Sequence, residues 1–217
     1  MLGELFSIVA PVYVCAGIGF LWVRSGRAYD TGLMTDLIFY IGAPSLVFSS
    51  LVSQSIGRES LETMFLAVVV AYAVLASMAA IVLRLTGQTL RTFLAPMTFG
   101  NAGNMGLPLC YFAFGAPGLE LGICFFVVGT LAHFTIGQAA WSGRPAWGAI
   151  FRSPVVWSVS LAFLFLGFQV DVPRWLLRTT GLLGDFTIPI MQLTLGVSLA
   201  GFRLRHVGRS VGLSVLK

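Results

Sequence analysis

The chain of 217 residues is 57% hydrophobic and only 10% charged, with a mean hydropathy of +0.91. Soluble domains carry about 25% charged residues, so this composition excludes an ordinary soluble enzyme and indicates an integral membrane protein. The net charge of +5 comes from basic residues scattered singly between apolar runs, which excludes a nucleic-acid-binding face.

Seven apolar runs are separated by charged residues, and each is long enough, or nearly so, to span a bilayer. They cover residues 5–23, 37–56, 64–83, 92–119, 121–143, 153–170 and 186–202. Ten Lys and Arg residues fall in one set of loops and three in the other, so the positive-inside rule places the N-terminus outside and Lys217 inside. Gly57 and Gly118 are then expected outside, and Gly87 and Gly143 inside.

The fourth run contains an interruption, Gly-Asn-Ala-Gly-Asn-Met-Gly-Leu-Pro, from Gly100 to Pro108. The 28 uncharged residues between Arg91 and Glu120 would extend about 42 Å as one helix, against a hydrocarbon core of about 30 Å. The glycines and the proline predict that the helix stops near Gly100 and restarts at Leu107 or Pro108. Unwound backbone at membrane depth is typical of transporter substrate sites.

A helix that restarts at this break would leave the amides of residues 105–109 without helical acceptors. It would also point the positive end of a half-helix into the membrane, where a carboxylate would be stabilised. Asn101 and Asn104 would add amide donors. The alternative is a packing face of small glycines, with both asparagines bridging helices.

A weak internal duplication relates Ala10–Leu21 to Ser153–Leu164 at an offset of 143, and Pro44 to Pro189 at an offset of 145. Five spans would then form one unit, and the odd number inverts the second unit in the membrane. The expected domains are a first five-helix repeat over residues 1–143, with its crossing helix at 92–115, and the start of a second repeat over 144–217. The second broken helix would fall beyond Lys217, so we expect the chain to be part of a protein of about ten spans.

The segment from Asn101 to Pro108 resembles the crossing-helix pattern of the auxin efflux carrier family, which includes plant PIN-FORMED carriers and bacterial malate and malonate permeases. The resemblance implies an all-α integral membrane protein, an inverted-repeat secondary transporter with broken helices that cross near mid-membrane. It implies transport of small organic anions, mono- or dicarboxylates, by elevator-like or rocking alternating access across a bacterial-type inner membrane. Asn101 would be the substrate asparagine and Pro108 the crossover proline. The expected substrate-binding residues are Asn101, Gly103, Asn104, Met105, Gly106, Leu107 and Pro108.

Five further polar residues are candidates for ion coupling or for lining a cavity. His133 and Gln138 lie in the fifth run and Gln192 in the seventh, where hydrogen bonding between helices is the alternative role. Asp36 and Asp185 directly precede the second and seventh runs, which favours helix N-capping, with ion coupling as the alternative.

Two rival functions fit the composition. A passive anion channel is one; an intramembrane aspartyl protease using Asp30 and Asp185 is the other. The protease motif fails because Leu182 replaces its first glycine, and because the two carboxylates are predicted at opposite membrane faces. The expected partners are a small organic anion and the lipid bilayer, with a homodimer left open. No cofactor or nucleic acid is expected. A metal site is not expected either, since the three cysteines lie singly in apolar runs.

Overall fold

A computed structural model describes residues 2–53 and 58–201, without the side chains of Leu2 and Arg58. Every regular element in these ranges is helical, as predicted for an all-α protein. Three features of the sequence analysis lie outside the described residues: Gly57, the basic residues from Arg203 onward and the apolar segment 211–216. The α-helices are α1 Leu2–Arg24, α2 Thr31–Leu37, α3 Ala43–Ser53, α4 Arg58–Leu85, α5 Leu90–Thr98, α6 Leu107–Ala132, α7 Gln138–Ser142, α8 Trp147–Arg152, α9 Pro154–Gly167 and α10 Arg174–Ala200.

Three π-helical turns join some of these helices into longer stretches: Ile38–Gly42, Ala102–Gly106 and His133–Gly137. Five helical stretches of the described ranges are long and apolar enough to cross a membrane. They are Gly3–Arg24, Thr31–Ser53, Glu59–Leu85, Leu90–Ser142 and Arg174–Ala200, with Pro154–Gly167 as a shorter apolar helix. The structure therefore confirms a multi-span helical membrane fold.

The fourth and fifth predicted spans meet in a sharp turn at Gly115. This residue has φ 66° and ψ −152°, a left-handed conformation that favours glycine and interrupts α6. Beyond the turn the two arms pack together, since a Cβ placed on Gly122 would lie 3.2 Å from the Cβ of Cys110. The predicted loop at Glu120 is wrong: Glu120 is 2% exposed inside the second arm, and Gly118 packs against Phe114.

The second and seventh spans begin earlier than the apolar runs predict. Asp30 caps α2, where its carboxylate accepts a hydrogen bond from the Leu33 amide at 3.0 Å. Asp36 lies within α2, and Asp185 lies in the middle of α10, which starts at Arg174. N-capping by Asp36 and Asp185 is therefore wrong, because charged residues mark where the apolar runs begin and not where the helices begin.

The main core forms where α3 packs between α6, α9 and α10. It contains Leu46, Val47 and Phe48 of α3 together with Ile123 of α6 and Val155 of α9. The helical stretch Thr31–Ser53 and α10 approach closely, since a Cβ on Gly42 would overlap the Thr187 side chain and a Cβ on Gly184 would lie 3.0 Å from the Leu46 backbone. These two contacts make the helices antiparallel. Smaller clusters join α4 to α5 and to the second arm of α6. The broken helix is thus held between two groups of packed helices.

Helices α1 and α10 cross at Gly19 and Gly196 with almost no space between their backbones. A Cβ on Gly19 would overlap the Leu193 carbonyl, and a Cβ on Gly196 would overlap the Ala16 carbonyl. Gly17 faces open space two residues away in the same helix. The crossing therefore requires glycine at these two positions, as in other tightly packed membrane helices.

Replacing Gly19 by Ala should lower the free energy of unfolding by about 3 kcal/mol, the upper end of the usual cost of overpacking. The added methyl group meets backbone, which relaxes only if the helices separate. Gly17→Ala is the matched control and should keep or slightly raise thermal stability in detergent, because alanine favours helix over glycine and meets open space there. Equal melting temperatures for the two variants would contradict the close crossing.

Candidate functional site

The predicted helix break is present, and it is shorter than the sequence suggests. Helix α5 ends at Thr98, Phe99 is extended, and Asn101 has φ −80° and ψ 62°. A π-helical turn then fills Ala102–Gly106 before regular α-helix resumes at Leu107. The non-helical link is therefore only residues 99–101, whereas the sequence predicted a gap as far as Leu107 or Pro108.

Asn101 organises the start of the second half-helix. Its side-chain oxygen accepts a hydrogen bond from the Asn104 amide at 3.2 Å, and its carbonyl accepts from the Met105 and Gly106 amides, both at 3.2 Å. The amides of Ala102 and Gly103 come before these hydrogen-bonded amides in the chain, and they are the first N–H groups of the half-helix. The expectation that the amides of residues 105–109 lack helical acceptors is wrong, because the helix starts earlier.

A cavity of about 550 Å³ opens beside this break. Its wall includes Asn101, Gly103 and Asn104 from the break and His133 from the π-helical turn after α6. Three polar side chains that the sequence analysis did not single out also line it: Thr35, Tyr72 and Thr130. They come from α2, α4 and α6, so only the tertiary fold brings them to the break.

No Asp, Glu, Lys or Arg is among the described residues that line this cavity. Its polar character comes from amide and hydroxyl groups, one imidazole, and the positive end of the half-helix at Ala102 and Gly103. Such an end, together with backbone N–H groups, binds anions. Asn101 keeps its side-chain nitrogen as a donor, because its oxygen is the atom that caps the helix.

Aromatic side chains form the apolar side of the cavity. The ring of Phe99 lies 5.2 Å from that of His133, edge to face, and 5.5 Å from that of Tyr72. Tyr72 also lies 4.9 Å from Phe125 and packs closely against Gly129. Gln138, five residues after His133, is half-buried in α7 and does not line the cavity.

Gln192 reaches the break from α10. It is 2% exposed, and its side-chain nitrogen donates a hydrogen bond of 2.5 Å to the Asn104 carbonyl. Its side-chain oxygen is buried without a hydrogen-bond partner among the described residues. Gln192 is thus placed behind the break, while its neighbour Met191 lines the cavity.

The remaining predicted substrate residues lie away from this cavity. Gly106 lines a neighbouring apolar cavity of about 570 Å³ beside Cys110, whereas Leu107 and Pro108 are buried in the core. Met105 is half-buried and lines neither cavity. The structure therefore gathers Asn101, Gly103, Asn104 and His133 around one space and leaves the other residues as its support.

Neither Asp36 nor Asp185 faces the cavity, and both are exposed. Asp30, the other carboxylate of the protease alternative, follows Tyr29, whose hydroxyl lies 2.6 Å from that of Thr194 in α10. Asp185 precedes Thr194 by nine residues, a distance of about 13 Å along a helix. The segment that carries Asp30 therefore meets α10 at Thr194 and not at Asp185, whereas aspartyl proteolysis requires two carboxylates that share a proton.

Comparison with known proteins gives a family and a relative. Residues 5–150 match the family described as membrane transport protein. An uncharacterized transporter of Methanocaldococcus jannaschii is 25% identical over 183 residues, which are 77% of this chain and 59% of that protein. The chain therefore spans less than two thirds of the length of the curated relative it matches.

Proposed function

Because this chain belongs to the membrane transport protein family, that of the auxin efflux carriers, we propose that it is a secondary carrier of small organic anions. The substrates would be mono- or dicarboxylates, bound at the helix break beside Asn101. We further propose that the protein works by alternating access in a bacterial-type inner membrane.

One observation carries this proposal: the half-helix starts at Ala102, and its first residues Ala102 and Gly103 line a cavity whose described lining residues include no acidic side chain. A carboxylate placed there would accept hydrogen bonds from the Ala102 and Gly103 amides and from the side chain of Asn101. No buried lysine or arginine is needed, since the half-helix end supplies positive charge. The hydroxyl groups of Thr35 and Thr130 donate to the Thr31 and Phe126 carbonyls, so their oxygens would accept a hydrogen bond from a hydroxyl or protonated carboxyl group of the substrate.

The walls of the cavity come from helices that are far apart in the chain, which suits alternating access. Thr35, Val155 and Met191 belong to α2, α9 and α10, whereas Tyr72 belongs to α4 and the break joins α5 to α6. If helices on one side of the cavity move relative to the break, the cavity would open first to one side of the membrane and then to the other. Carriers built from helix repeats commonly move in this way around a fixed site.

Uptake by inverted and right-side-out membrane vesicles that contain the protein tests the proposal. Radiolabelled malonate, malate and indole-3-acetate are the probes. A carrier should show saturable uptake that rises when the unlabelled probe is preloaded inside the vesicles. Uptake that is linear in concentration and insensitive to preloading would indicate a channel. No uptake of any probe above that of vesicles without the protein would contradict organic anion transport.

The orientation with the N-terminus outside is part of the proposal and rests on the loop charges. Three glycines chosen from the sequence are poor reporter positions. Gly118 is buried, and Gly87 and Gly143 have positive φ angles of 66° and 78°, so a cysteine there would be strained. Exposed residues near these loops are better positions for the reporter cysteines.

Single cysteines at Ala116 and Val170 should react with a membrane-impermeant maleimide in intact cells, whereas cysteines at Thr86 and Ser142 should react only after permeabilisation. All four residues are exposed. The background lacks Cys15, Cys110 and Cys124. Labelling of Thr86→Cys and Ser142→Cys in intact cells, with the other pair protected, would show that the orientation is the opposite one.

A further inference from the structure

The hydrogen bond between Gln192 and the Asn104 carbonyl joins α10 to the broken helix. Within α-helical geometry, a carbonyl accepts from the amide four residues later. For Asn104 this position is Pro108, which has no amide hydrogen and whose ring crowds the carbonyl of Asn104. The carbonyl that Pro108 leaves without its α-helical donor is therefore the one that receives the side-chain donor from α10.

We propose that Gln192 is a positioning residue of the anion site: it holds the break in place by supplying the hydrogen bond that Pro108 withholds from Asn104. This inference rests on the proposed function for its link to substrate binding. The bond fixes the turn Ala102–Gly106, and with it the amides of Ala102 and Gly103, relative to Met191 and the rest of the cavity wall. Gln192 itself does not contact the substrate.

The burial of Gln192 supports this role. An amide buried in an apolar core is costly unless it makes hydrogen bonds, and the oxygen of Gln192 has no partner among the described residues. A leucine or methionine of similar size would fill the same space without that cost. The donated bond to Asn104 is thus the specific interaction that the carboxamide supplies at this position.

Gln192→Leu, alone and combined with Pro108→Ala, tests the inference on the purified protein in nanodiscs with malonate as the probe. Gln192→Leu should weaken malonate binding about tenfold, because it removes the side-chain hydrogen bond that α10 donates to the Asn104 carbonyl. Pro108→Ala restores an amide to that carbonyl, so in this background Gln192→Leu should weaken binding less than about twofold. Gln138→Leu is the matched control, since Gln138 lies off the cavity, and should not change malonate affinity.

Hydrogen exchange of the 102–106 segment provides a second readout that needs no ligand. Gln192→Leu should accelerate exchange there, whereas Gln138→Leu should not. Equal loss of malonate affinity from Gln192→Leu with and without Pro108→Ala would overturn the positioning role, as would unchanged exchange in the segment. If the unmodified protein binds none of the carboxylate probes, the proposed function fails, while the exchange measurement still decides whether Gln192 holds the break.

Discussion

Replacing Asn101 by Asp should weaken malonate and malate binding by about a hundredfold while the protein stays folded. The introduced carboxylate keeps an oxygen that accepts the hydrogen bond of the Asn104 amide, the bond that caps the half-helix. The variant loses the amide donor of a residue that lines the cavity and places a negative charge beside the carboxylate of the substrate. A negative charge at a helix N-terminus stabilises the helix, so binding and stability should change in opposite directions.

Asn101→Ala separates the two roles of this residue. It removes the cap, at a cost of about 1 kcal/mol in the free energy of unfolding, and it removes the donor without adding charge. Its affinity for malonate should fall about tenfold, less than that of Asn101→Asp. Asn104→Ala should have a smaller effect, because the parts of Asn104 that hold the break are its backbone amide and carbonyl. Unchanged malonate affinity in Asn101→Asp would show that Asn101 has only a capping role.

The break was predictable from the sequence because its causes are local. Gly100, Asn101 and Pro108 each weaken regular helix within one or two turns, whatever surrounds them. Its exact form was not predictable. The π-helical turn at Ala102–Gly106 depends on the Asn101 cap and on Gln192, which is 88 residues away from Asn104 in the chain.

The helix ends were predicted less well because charged residues were taken as loop positions. Charges mark the border of the hydrocarbon layer, and helices continue past that border into the interface. Helix α10 thus includes Arg174, Arg178 and Asp185, and α2 includes Asp36. The prediction of a loop at Glu120 fails for another reason, because Glu120 is buried within the fold. The turn lies instead at Gly115, whose backbone conformation favours glycine.

The polar wall of the cavity could be predicted only in part. Asn101, Asn104 and His133 stand out in apolar runs, where polar residues are functional candidates by default. Thr35, Tyr72 and Thr130 do not stand out, because threonine and tyrosine are common in membrane helices and bond to nearby backbone. Thr130, for example, donates to the Phe126 carbonyl at 2.8 Å. Their place at the site follows from helix packing alone.

Closing the break should weaken malonate binding. The variant Gly100→Ala/Gly106→Ala/Pro108→Ala removes two glycines and the proline that disfavour regular α-helix. Gly106 and Pro108 are already helical in the structure, so only Gly100, in the non-helical link, shifts the balance between the two forms through its helix propensity, by about 1 kcal/mol. This corresponds to about fivefold in the equilibrium between the two forms, since about 1.4 kcal/mol is tenfold.

The substituted positions accept the new side chains without overlap. A Cβ on Gly100 meets no atom within 4 Å, and one on Gly106 meets its nearest atom at 3.8 Å. Gly103 is left unchanged because its Cβ would press on Met191 and Phe126 at 3.2 and 3.3 Å, which would mix packing with backbone effects. Loss of binding in the triple variant can then be assigned to the backbone.

Pro11→Ala/Gly17→Ala/Gly181→Ala is the matched control. It makes the same three kinds of change inside helices α1 and α10, where a Cβ on either glycine meets open space. Both variants should insert into the membrane and gain or keep helical circular dichroism. Only Gly100→Ala/Gly106→Ala/Pro108→Ala should weaken malonate binding and slow hydrogen exchange at residues 99–101. Malonate affinity that survives in a protein whose exchange shows a closed break would mean that the half-helix end does not bind the anion.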